Sequence, residues 1–253
     1  MKKNFFIVLL LILLLNSCSY KNIIDETTSP IPPFEYYKIF INNFEKNVTI
    51  DVSDTNYINW FNSKLIYQTW KNKQNDFSLT YKALYLMNFQ KAIFFDDYTQ
   101  YREVIFDTNN NTYRFLLYST NYRDNVEWEM QQFVNNSTKY SVALKGTNIN
   151  TNENGKWTFY QTQNLNIPKL VVYWKQKDSS LQVIFSDIDT NQIEKSYLKI
   201  TDNYFENSYS IKIENFDFNT KNIQFIELSK QENFGKIKDT LFYKDNKWHF
   251  WSL

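Results

Sequence analysis

Four residue types are scarce in this 253-residue chain: there is one cysteine, one histidine, three glycines and four prolines. Each shortage removes a class of chemistry. A lone cysteine, Cys18, cannot form an intramolecular disulfide, so no disulfide framework holds the fold. With His249 as the only histidine, a zinc site built from several His and Cys ligands is excluded. A Ser-His-Asp triad would have to use His249, and no Gly-x-Ser-x-Gly elbow presents a nucleophile. Gly146, Gly155 and Gly235 are too scattered to make a glycine-rich phosphate loop. An excess of one charge is missing too. The 28 basic and 27 acidic residues give no broad attraction to nucleic acid or to an anionic bilayer.

Carboxylates remain for catalysis, and their spacing does not favour it. Asp96 and Asp97 are adjacent, a spacing that a strand sends to opposite faces, and they read as a solvated turn. Asp187-Ile188-Asp189-Thr190-Asn191 begins like a calcium loop. Gln192 then stands where that loop needs glycine, and Leu198 where it needs Glu, so the segment reads as a hairpin turn. The expectation is a non-enzymatic protein with no metal and no cofactor.

What the chain does have begins at its N-terminus. Lys2 and Lys3 precede an unbroken apolar run from Phe5 to Leu15, the pattern of a secretory signal peptide. Eleven apolar residues fall short of the roughly 20 that cross a bilayer. Leu15-Asn16-Ser17-Cys18 resembles the bacterial lipobox, with Asn16 in place of the usual Ala, Ser or Thr. The resemblance implies cleavage after residue 17, a diacylglyceryl thioether on Cys18 and often an acylated amine. Loss of Lys2 and Lys3 would leave 26 basic and 27 acidic residues. Residues 18–33, with Ser, Thr and three prolines, read as a tether. Ser19 rather than Asp follows Cys18, so the retention signal of some inner-membrane lipoproteins is absent. The expected address is the bacterial cell envelope, at the outer membrane where one exists.

Residues 34–253 are expected to form a β-rich globular domain. Aromatic residues make up 19% of the chain, as 22 Phe, 19 Tyr and 7 Trp, which favours strands and large buried areas and excludes a disordered chain. Asn, Lys, Ile, Phe and Tyr also share AT-rich codons. With few glycines, Asn and Asp are expected to supply the left-handed turn conformations. Strands are predicted over 102–107, 112–119, 125–133 and 139–145, in two hairpins. A polar stretch over 146–155 marks a subdivision of the domain. Eight more strands follow, over 156–161, 169–175, 181–186, 193–200, 208–214, 222–228, 236–243 and 247–251. Their short links join antiparallel neighbours. Before Tyr101 the pattern is mixed. Tyr37, Phe40, Ile41 and Phe44 have helical spacing after Pro32-Pro33, as do Tyr57, Phe61, Leu65 and Ile66 behind Asp54 as an N-cap, although strands fit both. The period of 77–95 is not settled by sequence. The fold class is therefore mainly β, an antiparallel up-and-down sheet or barrel-like architecture with a mixed α/β N-terminal part.

Gly155-Lys156-Trp157 is similar to the Gly-x-Trp that opens the lipocalin barrel, and antiparallel strands follow it. Compartment and strand pattern also resemble the open half-barrel carriers of envelope lipoproteins. These resemblances imply an apolar ligand, with Trp157, Trp174 and Trp248 lining its pocket. The alternative is an exposed aromatic platform that stacks on a glycan. Lys156-Trp157-Thr158-Phe159-Tyr160 is echoed by Lys247-Trp248-His249-Phe250-Trp251, as two equivalent hairpins or two independent aromatic strands. His249, between Trp248 and Phe250, is expected to play a part on an aromatic sheet face.

Overall fold

The computed structural model describes residues 28–33, 36–39, 41–45, 54–149, 151–161, 167–203, 210–229 and 234–252. Cys18, the leader over 1–17 and most of the tether lie outside them. Residues Ile31–Leu253 form one compact unit.

Thirteen strands make a single antiparallel sheet in strict chain order. They are β1 (Ile93–Phe94), β2 (Thr99–Thr108), β3 (Asn111–Asn121), β4 (Asn125–Val134), β5 (Ser141–Ile149), β6 (Asn154–Tyr160) and β7 (Pro168–Lys177). Then come β8 (Ser180–Ile188), β9 (Glu194–Asn203), β10 (Ser210–Asp217), β11 (Asn222–Ser229), β12 (Phe234–Asp239) and β13 (His249–Ser252). β1 and β13 are the two edges and do not pair with each other, so the sheet is open. A right-handed twist of about 20–25° per strand makes a sheet of this size coil. Among the described residues four helices accompany it: α1 (Asn42–Glu45), α2 (Thr55–Asn75), α3 (Ser78–Met87) and α4 (Thr240–Tyr243). The fold is mainly β with helices in its N-terminal part, as the sequence predicts.

Tight links are built by asparagine. Nine non-glycine residues have positive φ among the described residues, and Asn109, Asn110, Asn135, Asn136, Asn152 and Asp178 are six of them. Asn109-Asn110 closes the β2–β3 hairpin at φ 50 and 62. No described glycine has positive φ. All three have a different use, because each is the cross-strand partner of a tryptophan. Gly146 pairs with Trp157, Gly155 with Trp174 and Gly235 with Trp251. A Cβ on Gly155 would stand 2.0 Å from Cζ2 of Trp174, and one on Gly235 2.4 Å from Cζ2 of Trp251. The glycines are notches that leave room for the indole rings of the neighbouring strand.

Two of those notches, Gly146 and Gly155, bound the polar stretch 146–155, where the ladder from β5 to β6 is continuous from Leu144–Phe159 to Asn148–Gly155. Asn148 accepts from the Trp128 indole there, so a polar residue sits inside the core. The inner face carries an unbroken aliphatic row across seven strands: Trp174, Val183, Ile200, Ile213, Ile226 and Ile237, entered from Gly155.

α2 and α3 lie across this face. Asp54 caps α2 by accepting from the Asn56 amide at 2.8 Å, as predicted. The buried stripe of α2 is Asn59, Trp60, Ser63, Ile66, Tyr67, Trp70 and Gln74, whereas Phe61 and Leu65 are exposed. The apolar period read from the sequence therefore belongs partly to the outer face. Polar residues take the inner one because each finds a partner. Asn59 Nδ2 donates to the Phe250 carbonyl at 2.8 Å, which covers edge strand β13. Gln74 bridges the Tyr37 carbonyl and the Ile39 amide. No helix among the described residues is long and apolar enough to cross a membrane. Helical spacing around Tyr37 to Phe44 yields only the short α1; Tyr37, Ile39 and Ile41 are buried outside it, and Phe40 lies outside the described residues. The strand predicted over 236–243 stops at Asp239, whose carboxylate accepts from the Leu241 and Phe242 amides and starts α4. A half-buried polar chain leads to it: Trp70 Nε1 to Asn215, Asn215 to Gln224, and Gln224 to Asp239, at 2.7, 2.6 and 2.5 Å.

Gly155→Ala is expected to destabilise the protein by about 1–3 kcal/mol, the usual cost of overpacking. Urea unfolding followed by circular dichroism measures it. An unchanged midpoint would mean that the Trp174 ring yields freely.

Candidate functional site

Trp157 and Trp174 turn inward. They are 0% and 3% exposed and meet edge-on at 5.9 Å between ring centres. Tyr37 lies 4.4 Å from Trp157, and Tyr36 lies 6.4 Å from Trp174, so the N-terminal segment covers both indoles. The Trp174 indole donates to the Asn152 carbonyl at 3.0 Å. Trp248 is elsewhere, half-buried, with the Lys236 ammonium 4.5 Å from its ring centre. The fold thus brings two of the three tryptophans together, in the core. Gly155-Lys156-Trp157 lies in the sixth of thirteen strands, between Gly146 and Trp174, and does not open a barrel. The structural counterpart of Trp157 is Trp251, since both lie over a glycine on the preceding strand. In the sequence echo that place belongs to Trp248.

His249 stacks on Tyr243 at 3.7 Å and 11°, and its Nε2 is 3.0 Å from Asp245. The imidazole holds the Asp245 carboxyl below the usual range, helped by the Lys247 amide. The Tyr243 hydroxyl in turn donates to Asn59 of α2 at 2.7 Å. This arrangement fastens the C-terminal strand to the helix layer. Asp96 and Asp189 are turn builders: Asp96 accepts from the Tyr98 and Thr99 amides, and Asp189 from those of Asn191 and Ile193. Both bear out the turn reading. Among the described residues, no three of His, Cys, Asp and Glu come together as a metal site would require.

A cleft lies where α2 meets α3 above the ends of β6 to β8, with a volume of about 560 Å³. Lys73, Asp76, Tyr160, Lys169 and Asp187 supply its polar lining, and Phe77 and Leu170 its apolar wall. Lys73 donates to Asp187 at 2.7 Å and to Ser196 at 3.0 Å, and its ammonium is 4.4 Å from the Trp70 ring centre. Three contacts fix this lysine as a charged strut between α2 and the sheet. The volume falls within the range of small-molecule sites. Hydrogen-bonding groups beside ring and aliphatic surface can hold a small polar molecule. Sequence reasoning missed this cleft because its residues come from segments more than a hundred positions apart. No protein-family model, no curated protein and no solved structure matches this chain.

Six of the seven tryptophans are at most 3% exposed, and Trp248 is the half-buried exception. Acrylamide quenching of indole fluorescence is expected to be shallow, and Trp248→Phe should remove most of the quenchable part. Strong residual quenching in that variant would place further indoles at the surface.

Proposed function

We propose that this chain is a lipid-anchored protein of the bacterial cell envelope, attached through Cys18, whose β domain works by binding or assembly and not by catalysis. The observation that carries this reading is the run Lys2-Lys3, Phe5 to Leu15 and Leu15-Asn16-Ser17-Cys18, with Cys18 the chain's only cysteine. Lipidation gives that thiol a use in a compartment where disulfides form. Two or three acyl chains make attachment durable, at about 0.8 kcal/mol for each buried methylene.

The fold supports the rest of the reading by how it spends its reactive groups. His249 is engaged by Tyr243 and Asp245, Lys73 by Asp187 and Ser196, and Asp239 caps α4. The compact unit begins at Ile31, thirteen residues beyond Cys18, and at about 3.4 Å per residue that stretch spans up to about 45 Å. A domain on such a tether acts by being held at a surface.

Cys18→Ser is expected to abolish metabolic labelling with palmitate and to move the protein from the membrane fraction to the soluble one. Unchanged labelling and fractionation would overturn the anchor.

A further inference from the structure

An exposed aromatic promontory stands at the β1 edge of the sheet. Phe89 is 71% exposed, Ile93 50%, Phe94 42%, Phe95 75% and Tyr98 56%. The sequence 89–98 thus places five large apolar side chains in water within ten residues, in a protein that buries six of its seven tryptophans. A concentration of exposed large apolar side chains of this kind marks an interaction site.

The promontory is held in shape. Phe89 and Gln90 close the end of α3 by donating to the Leu86 and Met87 carbonyls. Ile93 and Phe94 pair with Tyr101 and Gln100 of β2. The hairpin tip is fixed by the Phe95 amide on the Thr99 carbonyl at 2.8 Å and by the Asp96 carboxylate, which accepts from Tyr98 and Thr99 at 2.8 and 2.7 Å. The aromatic side chains are presented by a rigid turn and pay little ordering entropy on contact.

Two features select the occupant. Ile93 and Phe94 are consecutive strand residues, so their side chains point to opposite faces, and both are exposed. A protein partner docking on a sheet covers one face, whereas a lipid layer is apolar on every side of an inserted tip. Within 89–98 the charged residues are Lys91, Asp96 and Asp97, a net −1, and the neighbouring β3–β4 turn adds Arg123 and Asp124, which cancel, so the tip has no net attraction to anionic headgroups. We propose that the 89–98 promontory is a second membrane contact, inserting Phe89, Phe94 and Phe95 into the interfacial layer of a zwitterionic lipid surface. Aromatic side chains favour that layer. The short β1 leaves few unpaired backbone groups for lipid to desolvate. The inference rests on the lipid anchor for its setting. A tether of about 45 Å exceeds the radius of gyration of about 17 Å expected for 223 residues, so the tip can reach the bilayer. With a second contact, the anchored domain presents a fixed side to the membrane and faces its opposite side outward.

The test uses the polypeptide from Ser19 to Leu253 without lipid, which contains the whole compact unit, and vesicles of phosphatidylcholine and phosphatidylethanolamine. Wild type is expected to float with the vesicles, and added phosphatidylglycerol should not raise the bound fraction. Phe89→Ser/Phe94→Ser/Phe95→Ser should lower that fraction at least tenfold, since the loss of a single fully buried aromatic side chain already corresponds to about that factor. Phe250→Ser, at an equally exposed position on β13, should leave it unchanged. Thermal melts of both variants verify folding, and Phe95→Ser alone decides by a smaller drop if the triple variant unfolds. Absence of wild-type flotation, or equal flotation of the promontory variants, would overturn the proposal. So would concentration-dependent dimerisation lost in the triple variant without vesicle binding, which would assign the patch to a second copy. These outcomes do not depend on Cys18, so failure here is separate from failure of the anchor.

Discussion

The indole ring lying on a glycine is the contact on which the rest of this fold depends. A sheet whose inner face carries tryptophan needs room for the ring beside the neighbouring strand, and only a residue without Cβ leaves it. Gly146, Gly155 and Gly235 provide that room for Trp157, Trp174 and Trp251. Once seated, the rings of Trp157 and Trp174 meet edge to face and form a floor. Tyr37 lies tilted against Trp157, Phe44 lies 6.3 Å from Trp251, and α2 and α3 close over the segment that carries them. Tyr81 of α3 donates to the Tyr37 carbonyl at 2.7 Å and stacks on Phe159, joining helix, segment and sheet in one contact set. Burial there pushes the Tyr81 hydroxyl up, so it remains a donor at neutral pH.

This arrangement divides labour between residue types in an unusual way. Glycine commonly serves turns, because it alone adopts positive φ without penalty. Here glycine is confined to the sheet interior, and asparagine, aspartate, lysine and glutamine take the left-handed positions. The scarcity of glycine and the surplus of asparagine are thus two sides of one solution. Several amide side chains follow the same economy: the buried Asn59, Gln74 and Asn148 and the half-buried Asn215 and Gln224 each join two elements. A buried amide is stable only where its hydrogen bonds are made.

Much of the sheet was legible in the sequence. Alternation such as Leu181, Val183 and Phe185 marks the inner face, and the asparagine pairs mark the links, because both signals are local. The helices were harder. On α2 the exposed Phe61 and Leu65 compete with a buried stripe that includes Asn59, Ser63 and Gln74, and hydropathy cannot see the partners that make those amides welcome inside. The end of β12 was missed because Asp239 acts as a cap, which depends on Gln224 and Asn222 beside it. The cleft beside Lys73 was invisible, since Lys73 and Asp187 meet only after folding. Trp157 and Trp174 could be singled out from sequence, but not their inward direction, which the paired glycines decide.

A core closed by aromatic floor and helix cover leaves the molecule's dealings to its surface, which suits the attachment proposed for Cys18. The floor is the central physical claim, and a double-mutant cycle between Gly155 and Trp174 tests it most directly. Gly155→Ala should destabilise the wild-type background. In a Trp174→Leu background the same substitution should cost nothing or stabilise by about 0.5–1 kcal/mol, because alanine suits a strand better than glycine once the ring is gone. An equal cost in both backgrounds would contradict the account, since Gly155 would then be required by something other than the indole above it.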